Sequence, residues 1–170
     1  MRLQYISRGI LMVSMAFVAA CGEEHDHDEH HSIAEEACEH TKDGPFVDVT
    51  ATAASDGAPS ATHAHKAVHV TLVEDANDAT MNSGFVTFAA DEAAEFAFFL
   101  SADVAFAITD PSGTDVDIEE SADVAECSEV AKQHTADLEV GTYTLRIGPT
   151  SETMVSLVVE EAGHEEHDDH

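Results

Sequence analysis

Glu95-Phe-Ala-Phe-Phe-Leu100, with Val104-Ala-Phe-Ala-Ile-Thr109 close behind and Asp110-Pro-Ser-Gly113 closing it, decides the fold. Each apolar run is too short for a packed helix and carries the aromatic and β-branched residues that suit a pleated surface. Asp110-Pro-Ser-Gly113 has proline at the second position and glycine at the fourth, the composition of a β-turn. Just upstream, Gly84-Phe-Val-Thr-Phe88 repeats the pattern. These three runs hold six of the eight phenylalanines. Phe85, Phe88, Phe96, Phe98, Phe99 and Phe106 are therefore expected to be core packing rather than a ligand cage.

Working outward, the period of two continues. Val47, Val49 and Ala51 alternate with Asp48, Thr50 and Thr52, and a loop follows at 55–60. A strand is predicted at about Ala64–Glu74, with Val68, Val70 and Leu72 on one face and His65, Ala67, His69 and Thr71 on the other. His63, His65 and His69 then form a solvent-side row, read either as exposed histidines on a polar face or as secondary metal ligands. After a brief strand around 115–119, residues 121–130 read as a short helix or loop presenting Cys127. Three further strands are predicted at Gln133–Val140, Gly141–Ile147 and Thr153–Val159. Their inward residues are Tyr143, Leu145, Ile147, Val155, Leu157 and Val159. About nine strands, frequent turns and no long helix predict an all-β fold, an antiparallel, jelly-roll-like β-sandwich over residues 32–161.

The runs Ser83–Phe88, Phe96–Leu100, Val104–Gly113, Gly141–Ile147 and Val155–Val159 resemble the strand order of bacterial pre-peptidase C-terminal domains. The turn Asp110-Pro111-Ser112-Gly113 and the strand start Gly141-Thr142-Tyr143 match that family's hallmark phrases. The resemblance covers about half of the chain and implies a small accessory or binding sandwich without catalysis. The helix carrying Cys38 and the loop carrying Cys127 depart from the family.

Ser32-Ile-Ala-Glu35 fits a capping box and opens a predicted two-turn helix over Ala34–His40, ended by Lys42-Asp-Gly-Pro45. Cys38 and Cys127 are read as a disulfide across a loop of about 90 residues, worth about 4.5 kcal/mol in the chain-entropy model. A free thiol, or a metal-ligating pair with His40, is the alternative.

Residues 1–20 have Arg2 and Arg8 ahead of a short apolar run, Gly9–Val18, and then small residues, the pattern of a cleavable secretory signal. Val18-Ala19-Ala20-Cys21 resembles the lipobox of bacterial lipoproteins. That resemblance implies cleavage before Cys21 and two or three acyl chains on it, which anchor far more firmly than one. An ordinary signal peptide with an incidental cysteine is the plainer reading. Gly22, rather than aspartate, implies the outer membrane, facing periplasm or cell surface.

Two tracts flank the sandwich. Residues 21–31 hold His25, His27, His30 and His31 among five carboxylates, and residues 162–170 hold His164, His167 and His170 among four. Neither has the apolar residues needed to enter a core, so both are expected to be disordered. Imidazole beside carboxylate suits zinc, copper or nickel, but a disordered segment must be ordered around the ion, which predicts weak binding that is lost as imidazoles protonate. The tracts are read either as metal ligands, zinc foremost, or as solvated tethers.

The chain carries 35 acidic against 6 basic residues, a formal charge of -29. Phosphate repulsion excludes nucleic acid as a partner, and the same charge disfavours adsorption to anionic lipid, so membrane attachment has to be covalent or hydrophobic rather than electrostatic. No nucleophile triad, phosphate loop or metalloprotease motif is present, and the chain is read as non-catalytic. The sequence thus predicts an envelope lipoprotein that captures or buffers divalent metal. The alternative is an envelope binding or structural module that recognises a protein or glycan through the sandwich.

Overall fold

The computed structural model describes residues 32–63 and 65–162. The expected leader, Cys21 as the expected lipidation residue, and the tract histidines His25, His27, His30, His31, His164, His167 and His170 lie outside the described residues. Among the described residues one helix, α1 (Ile33–Asp43), precedes eleven strands: β1 (Phe46–Thr50), β2 (Ala67–Thr71), β3 (Val73–Glu74), β4 (Asn82–Ala90), β5 (Ala94–Leu100), β6 (Phe106–Thr109), β7 (Asp115–Val116), β8 (Glu120–Asp123), β9 (Lys132–Leu138), β10 (Gly141–Thr150) and β11 (Met154–Glu161). They form two packed sheets, ordered β1-β2-β11-β5-β9-β8 and β3-β4-β10-β6-β7. All pairings are antiparallel except β1 with β2. The all-β sandwich predicted from the phenylalanine runs is the fold.

The strand count exceeds the expected nine because short pairings are invisible to periodicity. The single strand expected at Ala64–Glu74 begins only at Ala67 and breaks at Leu72, whose buried side chain turns the corner from β2 in one sheet to β3 in the other. Residues 121–130 are not helical: β8 occupies the sheet edge and the loop after it carries Cys127. At the Asp110 turn the reading holds. The Gly113 amide donates to the Asp110 carbonyl, and Gly113 takes a positive φ of 87°.

Two cores exist, one on each face of the larger sheet. Between the sheets lie Phe88, Phe96, Phe98, Leu100, Ile108, Leu145, Ile147, Val155 and Leu157. Phe88 meets Phe96 and Phe98 edge-on at ring separations of 5.2 and 5.6 Å. On the outer face α1 covers Ala97, Phe99 and Val158 with Ala34, Ala37 and Cys38. This third layer explains the unbroken run Phe96–Leu100, because a strand buried on both faces needs apolar residues at every position.

Two of the six predicted core phenylalanines are therefore relocated. Phe99 packs under the helix rather than between the sheets. Phe85 is half-buried on the outer face of the smaller sheet, beneath the Arg146 guanidinium at 5.9 Å, while fully buried Val86 takes the inward position. Phe85 and Phe88 are three residues apart, an odd number, and a period of two cannot put both on one face. Gly84 is required where it stands, since a β-carbon there would collide with the Ala51 side chain.

The capping box forms as expected. The Ser32 hydroxyl accepts from the Glu35 amide at 3.2 Å, and the Glu35 carboxylate accepts from the Ser32 amide at 3.0 Å. The helix is longer than the predicted two turns, running 11 residues to Asp43 before Gly44, which has a φ of 76°. Cys38 and Cys127 are bonded, with Cα atoms 6.0 Å apart. The bridge ties α1 to the loop between β8 and β9.

A buried histidine, His134 on β9, yields a pH prediction. Its Nδ1 lies 2.7 Å from the Ser121 hydroxyl of β8, its ring stacks on Phe106 at 5.1 Å, and its Nε2 is buried without a partner. Burial first, then the nearby Lys132 charge, lowers its pKa below the usual 6.5, against a smaller opposing pull from Asp103. The unfolded chain therefore takes up this proton first. The His134 contribution is intact above about pH 6.5 and is lost as the pH falls below it toward the lower folded value. Thermal melts in chelator should show an acid-side loss of stability beginning near that pH, and His134→Gln should flatten it. An unchanged acid limb in the variant would refute the assignment.

Candidate metal centre

Glu36 and His40 lie four residues apart on α1, so both side chains leave the same face of the helix one turn apart. Glu160 projects from β11 toward that face and is 8 % exposed. His65 arrives from the segment before β2. At φ 51° it is the one non-glycine residue with positive φ among the described residues. That conformation costs about 1 kcal/mol or more, and such outliers concentrate at functional sites.

The four side chains converge. Glu36 Oε1 lies 3.3 Å from His65 Nδ1 and 3.6 Å from His40 Nε2, and Glu160 Oε1 lies 3.9 Å from His40 Nε2. One ligating atom from each residue falls within 4.8 Å of all the others. Zinc bonded at about 2.0–2.1 Å in a tetrahedron separates its ligand atoms by about 3.4 Å. Three of the spacings, 3.3, 3.6 and 3.9 Å, lie near that value, and the others fall within 4.8 Å, so closing around an ion brings the more distant ligand atoms inward.

Burial carries the chemical argument. Both ring nitrogens of His40 and Glu160 Oε1 are buried with no hydrogen-bond partner. Leaving a buried polar atom unsatisfied costs about 1–3 kcal/mol, so several together in a set of two imidazoles and two carboxylates need a reason. A divalent cation satisfies nitrogen and carboxylate at once, and zinc takes this mixture of donors. The donor set is a possible metal site and the residues fit the ion.

The electrostatics agree. Burial first, then the neighbouring Glu36 charge, raises the Glu160 pKa above its ordinary 4.5, while His40 and His65 pull it down less strongly. Folded Glu160 therefore holds its proton more tightly than the unfolded chain does. The metal-free protein loses stability as pH rises from the ordinary glutamate range through the raised folded value. Glu160→Gln should accordingly raise the neutral-pH melting temperature of the metal-free protein, by about 3–6 °C for each 1 kcal/mol recovered. The same substitution should weaken zinc binding, the exchange of stability for function expected of a working site. A variant no more stable than the parent in chelator would remove the argument from burial.

The histidine row expected on one strand face does not form. Only His69 lies on β2, and it pairs with Asp48 of β1 through Nδ1 at 3.4 Å while stacking on Phe46 at 4.7 Å. His63 stands ahead of the strand and lines the cavity next to the centre, without joining it. Of the three, His65 alone reaches the cluster. The early end of the strand is the cause, because residues outside regular structure are not bound to its alternation.

Along the chain Glu36 and Glu160 carry no ligand signature of their own, and His40 enters only as a partner of the two cysteines, a reading that the Cys38–Cys127 bond removes. The i,i+4 spacing of Glu36 and His40 on a predicted helix was a usable signal, while Glu160 and His65 become neighbours only through the packing of α1 on β11. A second group, Glu95, Glu119 and Asp137, contains carboxylates alone. Repulsion from Asp137, then burial, then Glu95 raises the pKa of Glu119, which stands just ahead of β8 beside the Glu95–Asp137 pair of β5 and β9.

Among the described residues no helix is long and apolar enough to cross a membrane. Compared with known proteins, the chain matches no family model and no curated sequence.

Proposed function

We propose that this is a non-catalytic, lipid-anchored envelope protein that captures a divalent metal, zinc foremost, and holds it at Glu36, His40, His65 and Glu160. The buried Nε2 of His40, without a hydrogen-bond partner and facing two carboxylates, carries the reading. The tracts add the collecting function: seven histidines among carboxylates in 21–31 and 162–170 concentrate cations around the body. An ordered site then outcompetes them, because its ordering entropy has been met by folding. Acyl chains on Cys21 would keep the assembly at the outer membrane.

Zinc calorimetry on the full chain tests this. One tight site that survives replacement of the tract histidines, with weaker heats that disappear on that replacement, is the expected result. If no zinc binds tightly and envelope crosslinking recovers a protein or glycan on the sandwich, the protein is a binding module instead.

A further inference from the structure

Beside the four donors lies a cavity of about 490 Å³, a volume in the range of small-molecule sites. A gap in the larger sheet makes room for it. β2 pairs with β11 only over Met154–Leu157, whereas β11 runs on to Glu161 with β5 as its paired neighbour. Past Leu157 the space beside β11 therefore reaches residues of both sheet faces. Val159 lines it with Phe88 and Phe96 from the side of the sandwich core, and Glu160 lines it with Glu36 from the side of α1.

One class of ligand matches both kinds of wall. Asp91 joins Glu36 and Glu160 along the cavity, and no lysine or arginine lines it among the described residues, so an anion is repelled. Glu160 is 8 % exposed and its Oε1 has no hydrogen-bond partner, a buried acceptor that a neutral apolar molecule leaves unsatisfied. A bare inorganic cation answers the carboxylates and makes no use of the apolar walls. An ammonium group on a hydrocarbon or aromatic body answers both. Its N–H groups donate to carboxylates at about 2.7–2.9 Å, and their tetrahedral directions then set two acceptors about 4.6 Å apart. Glu36 and Glu160 offer oxygens within 4.8 Å of each other, a spacing that an ammonium accepts as it stands.

We propose that this cavity binds a small organic amine in its protonated form, with the ammonium between Glu36 and Glu160 and the apolar body against Phe88, Phe96 and Val159. Such a site does not depend on the metal reading. The two are coupled all the same: an ion bonded to all four donors leaves neither carboxylate to the ammonium, so metal and amine exclude one another. An amine entering the cavity then favours release of the ion.

Calorimetry of the full chain with 2-phenylethylamine in chelator tests this, against 2-phenylethanol and ammonium chloride as controls. The amine should bind at least about tenfold more tightly than either control, because charged hydrogen bonds and apolar contact are needed together. Glu36→Gln with Glu160→Gln should weaken the amine at least about tenfold, and in the parent without chelator zinc should compete with it. Equal binding of either control, amine binding undiminished by the glutamine pair, or zinc and amine bound together would each overturn the assignment. Absence of amine binding would overturn it outright, while zinc heats abolished by His40→Ala with His65→Ala would leave the metal centre standing. Amine binding with no such zinc heat would uphold the amine site and remove the metal reading.

Discussion

Replacing His40 and His65 together by alanine will weaken zinc binding at the ordered site by at least about 100-fold while leaving the fold intact. In the proposed centre each histidine supplies one of four ligands, and loss of even an outer partner of a metal site commonly costs about 10–100-fold. Both lie outside the core between the sheets that carries the sandwich. The double variant should therefore keep its near-native melting temperature in chelator and lose the increase that zinc gives the parent. That increase follows mass action, about 2.7 kcal/mol at zinc 100 times its dissociation constant. Thermal melts with and without zinc read both quantities at once. A variant that retains the zinc-dependent rise would show that the stabilising ion sits elsewhere.

Reducing the Cys38–Cys127 bridge, or replacing both cysteines by serine, will cost about 2–5 kcal/mol in urea unfolding and will weaken zinc binding in the same protein. The bridge spans a sequence separation of 89 residues, a long loop whose closure restrains the unfolded chain. Its second effect is local. Besides Cys38, the buried residues of α1 are Ala34 and Ala37, small side chains that bury little area. A helix of 11 residues is marginal by itself, so the covalent tie to the β8–β9 loop does much of the holding. Glu36 and His40 ride on that helix, and an undocked α1 takes half of the donor set away from Glu160 and His65. By linkage, zinc should in turn slow reduction of the bridge. A serine variant with parental zinc affinity would mean that packing alone positions α1.

Much of the architecture was legible because strand patterning is local. Tyr143, Leu145, Ile147, Val155 and Leu157 alternate along their strands and are all buried as read, and the turn at Asp110 and the cap at Ser32 are set by neighbours within four residues. What was misplaced involved a choice between faces or sheets. Phe99 could be assigned to a core only once a helix covered the outer face, and the break at Leu72 depended on a second sheet offering β3 its partner β4.

The candidate site divides in the same way. Histidine and carboxylate side chains, a strongly acidic balance, and two cysteines available to pair were all written in residue types, which composition reports directly. The ligand set was not. Glu36 and Glu160 are 124 residues apart in the chain, and no periodicity relates a helix face to a strand that pairs with β2 and β5 half a domain later. Sequence alone determined that the chain builds a β-sandwich and carries metal-seeking side chains, since hydrophobic alternation and ligand chemistry belong to single residues and their neighbours. Only the tertiary structure decided which of those side chains meet, because burial of His40 and Glu160 arises from docking α1 across β11, a long-range contact that places unpaired donors where water cannot satisfy them.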